Sequence, residues 1–209
     1  MGDRDALGMA GPKAWEDGLS ASGERWRNLV DAIKSHLDHL THSRHRNQAQ
    51  DRLRRAERPK RVLIVCSGNI CRSPYAEACF RRTIEQAGIR DLVVESAGFF
   101  GPDRPAHERG SGIARRRGID LSQHRSRLIP ATPGEDFDLI LAMTRRHRDD
   151  LIHRFGLSED RIALLGDFDV ADPPRREIGD PYGQPDQVFE AVFAQIERSI
   201  EGWFGCLPG

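Results

Sequence analysis

Short apolar runs alternate with amphipathic stretches of helical spacing from Arg61 onwards, and this alternation restricts the fold more than any other feature of the sequence. The first run, Val62 to Val65, is continuous and apolar, as is typical of a strand buried on both faces of a parallel sheet. Strands that alternate with helices form such a sheet with helices on both faces. We therefore predict an α/β domain over residues 59–209, with a four-stranded, doubly wound parallel sheet of flavodoxin-like or Rossmann-like architecture.

The apolar runs and the helical spacings set the expected limits of the elements. Strands are predicted at residues 62–65, 92–94, 137–141 and 162–165. Helices are predicted from Pro74 to Gly88, over 106–117, over 145–155, and from Val188 to about Gly202. Ser73 and Pro74 suit the start of the first helix, because serine caps helices and proline favours their first position.

Residues 1–58 differ in character, since they are polar with stretches rich in glycine and serine. We predict a partly disordered extension with one amphipathic helix at about residues 24–41. Its apolar stripe is expected to pack on the α/β domain or to mediate self-association. Histidines recur there every three residues, a spacing that drifts around a helix, so we expect no metal site.

Bulk composition excludes several classes of function. The formal net charge is zero, so no overall field favours nucleic acid or membrane as a partner. No apolar run approaches the roughly 18 residues of a membrane span. Residues 1–10 lack the apolar core of a secretory signal. We expect a cytoplasmic protein whose cysteines are free thiols, at positions Cys66, Cys71, Cys79 and Cys206.

The segment from Cys66 to Pro74 carries the strongest chemical signal, because it lies between a predicted strand and a predicted helix. Backbone N–H groups of such a loop converge with a helix N-terminus on an anion. Gly68 allows close backbone approach, and Asn69 tolerates a positive φ. Arg72 stands six residues after Cys66, where its planar fork can clamp two phosphate oxygens. The same positive field stabilises a Cys66 thiolate, which makes this cysteine a candidate nucleophile. We expect the Ser73 hydroxyl to donate to this thiolate as well as to cap the helix.

A bare Cys-x5-Arg is weak evidence, and Cys66 could simply be a small buried residue that ends a strand. The longer string Cys-Ser-Gly-Asn-Ile-Cys-Arg-Ser-Pro, however, resembles the signature of low-molecular-weight protein tyrosine phosphatases. The resemblance covers residues 61 to about 204, including Glu95 to Gly98 and His124 to Arg127. It implies a phosphocysteine intermediate on Cys66 and no metal or cofactor. The phosphate and substrate contacts it implies come from Ser67, Gly68, Asn69, Ile70, Cys71, Ser73 and Tyr182.

Cleavage of a phosphate ester also needs a proton for the leaving oxygen, which a carboxylic acid usually supplies. Two Asp-Pro dipeptides compete for this role, at Asp172 and at Asp180. We assign the general acid to Asp180, because it precedes the last helix and Tyr182 could stack on an aromatic substrate. In the family that the chain resembles, the acid stands in an Asp-Pro-aromatic segment at this point. The alternative interpretation of Asp180 is a turn former.

Three other functions compete with a tyrosine phosphatase. Arsenate reductases with a similar loop relay a disulfide through downstream cysteines, and this chain has none between Cys79 and Cys206. A non-catalytic phosphoprotein-binding module is disfavoured, because the catalytic residue types are all retained. Protein arginine phosphatases are closer, since the Thr144 to His147 segment looks like theirs. We expect that segment to form the rim of the site, and the apolar Ile70 to favour phosphotyrosine.

The resemblance implies two further features. Cys66 and Cys71 could form a reversible disulfide under oxidation. The run from Asp180 to Trp203 looks similar to bacterial tyrosine phosphatases paired with polysaccharide-export kinases, so a cognate tyrosine kinase is the predicted phosphoprotein partner.

Overall fold

Four parallel strands form the central sheet of the protein. The structure is a computed structural model, and it describes residues 44–54, 58–171 and 176–207. The strands are β1 (Arg61–Cys66), β2 (Val93–Gly98), β3 (Leu139–Ala142) and β4 (Ile162–Leu164). Their order in the sheet is β2-β1-β3-β4, and every neighbouring pair is parallel. The predicted fold class is confirmed. The predicted strand at residues 92–94 is too short, because β2 continues to Gly98.

Helices surround the sheet. They are α1 (residues 44–54), α2 (Arg72–Gln86), α3 (Glu108–Arg116), α4 (Pro133–Asp136), α5 (Arg145–Phe155) and α6 (Asp186–Phe204). The limits of α5 agree with the prediction because both ends carry caps: the Thr144 hydroxyl accepts from the His147 backbone N–H, and Gly156 adopts a left-handed φ of 64°. The short α4 and the 3₁₀ turns at Glu159–Arg161 and Leu165–Phe168 were not predicted.

The sheet separates two apolar clusters. Along β1, the side chains of Val62 and Ile64 join the cluster beneath α2 and α6. The side chains of Leu63 and Val65 join the smaller cluster beneath α5. Alternate residues of one strand are therefore buried on opposite faces, which is why the run is continuously apolar.

The start of α2 differs from the prediction. This helix begins at Arg72 rather than at Pro74, and its N-cap position, Cys71, makes no side-chain capping bond. Ser73 does not cap the helix, because its hydroxyl oxygen lies 3.0 Å from the sulfur of Cys66 instead. The Ser73 side chain, at the start of α2, is therefore turned towards the loop.

Part of the N-terminal extension is packed on the domain. Leu53 of α1 is buried in the larger cluster, and Ala49 packs against it beside Leu139 and Phe168. The predicted amphipathic helix at about 24–41 lies outside the described residues, so that helix and the division at residue 58 stay predictions. Among the described helices, none is long and apolar enough to cross a membrane.

The close packing of α6 can be tested by comparing alanine substitutions at two helical glycines, one tightly packed and one with free space around it. A Cβ at Gly202 would lie 1.9 Å from the Phe168 carbonyl oxygen, whereas a Cβ at Gly112 in α3 would meet no atom within 4 Å. We expect Gly202→Ala to lower the free energy of unfolding by about 1–3 kcal/mol. Gly112→Ala should raise it by about 0.5–1 kcal/mol, since alanine is the better helix former. Urea denaturation measures both, and a Gly202→Ala protein as stable as wild type would contradict this packing.

Candidate active site

Cys66 is the last residue of β1, the strand at which the order of strands in the sheet reverses. β1 lies between β2 and β3, so the connections on its two sides diverge at its carboxyl end, where ligands of such folds bind. The Cys66 side chain is buried there, at the base of the loop that leads into α2. The main chain of this loop is pinned to the neighbouring strand, because the Phe99 N–H donates to the Ser67 carbonyl oxygen at 2.8 Å.

Asn69 holds the loop in shape. Its φ is 52°, a left-handed value that asparagine tolerates better than most residues. Its buried amide nitrogen donates to the hydroxyl oxygens of Ser73, at 2.9 Å, and Ser96, at 2.8 Å. Its amide oxygen accepts from the Arg127 backbone N–H at 2.9 Å. One side chain thus joins the loop to α2, to β2 and to the segment before α4.

Two further residues, His124 and Gly98, contact the backbone of the loop at Asn69. The His124 Nε2 atom lies 2.7 Å from the Asn69 carbonyl oxygen and donates to it. Burial lowers the pKa of His124, so the neutral imidazole with this single donor is favoured. Gly98 is required where β2 passes the loop, because a Cβ there would lie 2.8 Å from the Asn69 backbone nitrogen.

Ser73 supplies a hydrogen bond to the candidate nucleophile. Its hydroxyl oxygen accepts from the Asn69 amide, so its own hydrogen is available for the Cys66 sulfur at 3.0 Å. A donor at this distance stabilises a thiolate relative to a thiol. Burial, reinforced by the charge of Cys66, raises the pKa of the Cys71 thiol to about 12, so Cys71 remains protonated at physiological pH.

Arg72 is almost fully buried beside the thiol and reaches across to the segment before α6. Its Nη1 donates to the Ile178 carbonyl oxygen at 3.1 Å, and its Nη2 donates to the Asp180 carboxylate at 2.6 Å. Its Nε is buried and has no hydrogen-bond partner among the described residues. A buried guanidinium donor without an acceptor is costly, which favours an oxyanion as the ligand of this site.

Around these groups lies a slot of about 290 Å³. At its mouth, the rings of Phe100 and Tyr182 are 57% and 61% exposed, unusually high for large aromatic side chains. Arg104 lies beside them, with its guanidinium carbon 5.6 Å from the Phe100 ring centre. The residues that line the slot are Cys66, Ser67, Gly68, Ile70, Cys71, Arg72, Phe100, Arg104, Asp180 and Tyr182.

The structure brings most of the predicted site residues to this slot. Asn69 and Ser73 are exceptions, since both are buried behind the loop rather than lining it. Asp172, the competing general acid, lies outside the described residues. The structure does not place the Thr144 to His147 segment at the rim as expected. Instead, His147 is buried, and its Nε2 contacts the Ser67 hydroxyl oxygen at 2.9 Å.

Sequence reasoning missed Phe100, Arg104 and this supporting role of His147. A positional signal was available for Phe100 and Thr144, because each stands two residues after the end of a strand, β2 and β3 respectively. The carboxyl ends of parallel strands meet at one edge of the sheet, where sites of this fold class form. Nothing in the local sequence indicates that Arg104 turns back over the loop to donate to the Gly68 carbonyl oxygen.

A buried thiol, a guanidinium and a carboxylate around one anion-binding loop are the groups that a cysteine-dependent phosphatase requires. Residues 61–208 match the family described as low molecular weight phosphotyrosine protein phosphatase, and the chain belongs to this family.

Three known proteins illustrate the similarity. The low molecular weight protein-tyrosine-phosphatase Wzb of Salmonella typhi is 34% identical over 148 residues, which cover 68% of this chain and 91% of that protein. The crystal structure of the Erwinia amylovora tyrosine phosphatase amsI has a TM-score of 0.65 at 28% identity, covering 73% of this chain and 96% of that one. The YwlE arginine phosphatase of Geobacillus stearothermophilus has a TM-score of 0.59 at 32% identity, with 69% and 90% covered.

Removal of the Asn69 side chain tests its control of the loop. Asn69→Ala leaves Ser73 and Ser96 without their common donor, so we expect kcat/KM for p-nitrophenyl phosphate to fall about tenfold or more. Asn47→Ala makes the same change at an exposed position of α1 and should leave kcat/KM unchanged. Equal activity of the two variants would show that the loop holds its shape without Asn69.

Proposed function

We propose that the protein hydrolyses phosphotyrosine monoesters in proteins, with Cys66 as the nucleophile and Asp180 as the general acid and base. One observation carries the proposal: the Cys66 thiol, the Arg72 guanidinium and the Asp180 carboxylate line the same slot, where Arg72 donates a hydrogen bond to Asp180 at 2.6 Å. The names of the relatives, protein-tyrosine-phosphatases, support the same reaction class.

In the first step, the Cys66 thiolate attacks the phosphorus atom in line with the bond to the tyrosine oxygen. The new sulfur–phosphorus bond forms as that phosphorus–oxygen bond breaks, and Asp180 gives its proton to the leaving phenolate oxygen. Backbone N–H groups from Ser67 to Arg72, together with the Arg72 side chain, hold the equatorial oxygens. The products are free tyrosine side chain and phosphocysteine.

In the second step, water attacks phosphocysteine. The Asp180 carboxylate, now deprotonated, takes a proton from this water as the oxygen–phosphorus bond forms. The sulfur–phosphorus bond breaks, and the electron pair returns to Cys66 as a thiolate. The hydrogen bond from Ser73 stabilises that thiolate as a leaving group. Inorganic phosphate is released, and no group beyond those of the chain and water takes part in the balance.

Replacement of the nucleophile and of the two candidate acids tests these roles. Cys66→Ser should abolish turnover of p-nitrophenyl phosphate while the circular dichroism spectrum stays that of wild type. Asp180→Asn should lower kcat for aryl phosphates by about 10²–10⁴ and flatten one limb of the pH profile. Asp172→Asn is the matched control and should behave as wild type. If Asp172→Asn shows the larger loss, the acid has been assigned to the wrong Asp-Pro.

The lining of the slot favours phosphotyrosine over phosphoarginine. Ile70 presents an apolar wall to the phosphorylated group, and Phe100 and Tyr182 offer aromatic faces. A guanidinium there would leave N–H groups unpaired, at a cost of roughly 1–3 kcal/mol per buried group. Arg104 adds a like charge to the wall, and among the described residues Asp180 is the only carboxylate that lines the slot. These features together correspond to at least about a tenfold preference for the phenyl ring.

Matched peptides test this selectivity. We expect kcat/KM on a phosphotyrosine peptide to exceed that on the corresponding phosphoarginine peptide by about tenfold to hundredfold in wild type. Ile70→Thr should narrow the gap, because its hydroxyl can accept from a guanidinium N–H. A wild-type protein that prefers phosphoarginine would make the arginine phosphatase the correct assignment.

The protein partner belongs to the same proposal. The resemblance to phosphatases paired with polysaccharide-export kinases suggests the phosphorylated tyrosine cluster of such a kinase as substrate. Failure to dephosphorylate that cluster, by a protein that cleaves phosphotyrosine peptides, would exclude this partner. A cytoplasmic location fits the four buried free thiols, and cell fractionation tests it.

A further inference from the structure

Three side chains form a chain of hydrogen bonds behind the phosphate loop. The Thr144 hydroxyl oxygen lies 3.0 Å from Nδ1 of His147, and Nε2 of His147 lies 2.9 Å from the hydroxyl oxygen of Ser67. Ser67 lines the slot, whereas His147 is buried behind it. Thr144 and His147 belong to α5 and its cap, on the opposite side of the sheet from α2.

The surroundings of Thr144 favour one direction of this chain. The Thr144 hydroxyl oxygen already accepts from the His147 backbone N–H at 3.2 Å, and among the described residues Nδ1 of His147, at 3.0 Å, is the acceptor available to its hydrogen. When Nδ1 accepts this hydrogen it carries no proton, so the neutral imidazole has its proton on Nε2. Burial, reinforced by the Arg72 charge, lowers the pKa of His147 to about 4, which keeps the ring neutral at physiological pH.

The Ser67 hydroxyl is therefore left with a hydrogen to donate. Its oxygen accepts from Nε2 of His147 and faces a second donor, Nη2 of Arg72, at 3.4 Å. With the proton on Nε2, both neighbours are donors, so the Ser67 hydrogen has no acceptor on that side and is free to point into the slot. The opposite tautomer of His147 would draw this hydrogen away from the slot.

Packing holds the imidazole in place. The His147 ring stacks on Phe99, with centroids 5.7 Å apart and planes inclined by 19°. Phe99 also donates its backbone N–H to the Ser67 carbonyl oxygen. The end of β2 thereby fixes both the loop residue and the ring that contacts its hydroxyl.

We propose that the Ser67 hydroxyl donates a hydrogen bond to the substrate phosphoryl group, and that Thr144 and His147 are positioning residues that hold it in this orientation. The proposal rests on the proposed phosphatase function and adds a side-chain donor to the backbone donors of the loop. It concerns oxyanion binding, so it predicts effects on phosphate affinity as well as on turnover.

A double-mutant cycle with inorganic phosphate as the probe tests the proposal by calorimetry and by competition against p-nitrophenyl phosphate. Ser67→Ala should weaken phosphate binding about tenfold, and His147→Phe, which keeps a stacking ring, about threefold to tenfold. In the Ser67→Ala background, His147→Phe should change the affinity by less than about twofold, because its effect passes through Ser67. His147→Gln, which retains an N–H donor, should recover most of the wild-type affinity.

His153→Phe is the matched control, because it makes the same substitution at an exposed position of α5 and should leave phosphate affinity and turnover unchanged. Equal losses from His147→Phe in the wild-type and Ser67→Ala backgrounds would overturn the proposal, since they would show a merely structural effect. Nitrogen-15 NMR of the His147 imidazole gives an independent answer. A proton on Nε2 supports the inferred direction of the hydrogen bonds from Thr144 to Ser67, and a proton on Nδ1 overturns the proposal.

These outcomes separate the two proposals. A wild-type protein that fails to cleave phosphotyrosine would refute the proposed function, whereas phosphate affinity and the His147 tautomer would still decide the role of Ser67. An active wild type with an unaffected Ser67→Ala variant would refute the role of Ser67 alone.

Discussion

The shape of the site depends on Asn69, whose backbone adopts a left-handed conformation and whose side chain is hydrogen-bonded to three neighbouring segments. Asn69 combines a φ of 52° with three side-chain hydrogen bonds: its amide donates to α2 and to β2 and accepts from the segment before α4. These contacts fix the shape of the loop, and they also leave the Ser73 hydrogen free for Cys66. An anion-binding loop contains many donors that repel one another, so its shape has to be imposed from outside. Asn69 supplies that constraint from a fully buried position.

The doubly wound sheet explains why residues distant in sequence converge on this loop. β1 delivers Cys66 between two strands whose carboxyl ends carry Phe99 and Phe100 on one side and Thr144 on the other. Each flanking strand contributes differently: β2 supplies an exposed aromatic wall, and β3 supplies the capped helix α5 with its buried histidine. The fold therefore gives the loop a specificity face towards solvent and a supporting layer behind it.

The sequence predicted those features that local patterns determine. Continuous apolar runs located the strands and helical spacing located α5. The loop string identified Cys66 and Arg72 as candidates, and the Asp-Pro dipeptide before the last helix identified Asp180. For Ser73, the expected contact with the Cys66 sulfur is present, but the expected helix cap is wrong because the hydroxyl is turned towards the loop. Arg104 and His147 were missed, because each acts through a contact with the loop made across the sheet edge. Contacts of this kind have no periodicity and leave no local signal.

Arg72 is the only described side chain that donates hydrogen bonds both to the loop residue Ser67 and to the segment that carries Asp180. Because Nη2 holds the Asp180 carboxylate, an oxyanion that takes the same hydrogen must displace the carboxylate, and the two equilibria are then thermodynamically linked. The affinity of the loop for such an oxyanion is a net quantity, reduced by the stability of the Arg72–Asp180 pair. The same linkage acts in reverse when the oxyanion leaves, since re-formation of the pair favours dissociation. A single guanidinium thus couples the departure of the oxyanion to the return of the Asp180 carboxylate.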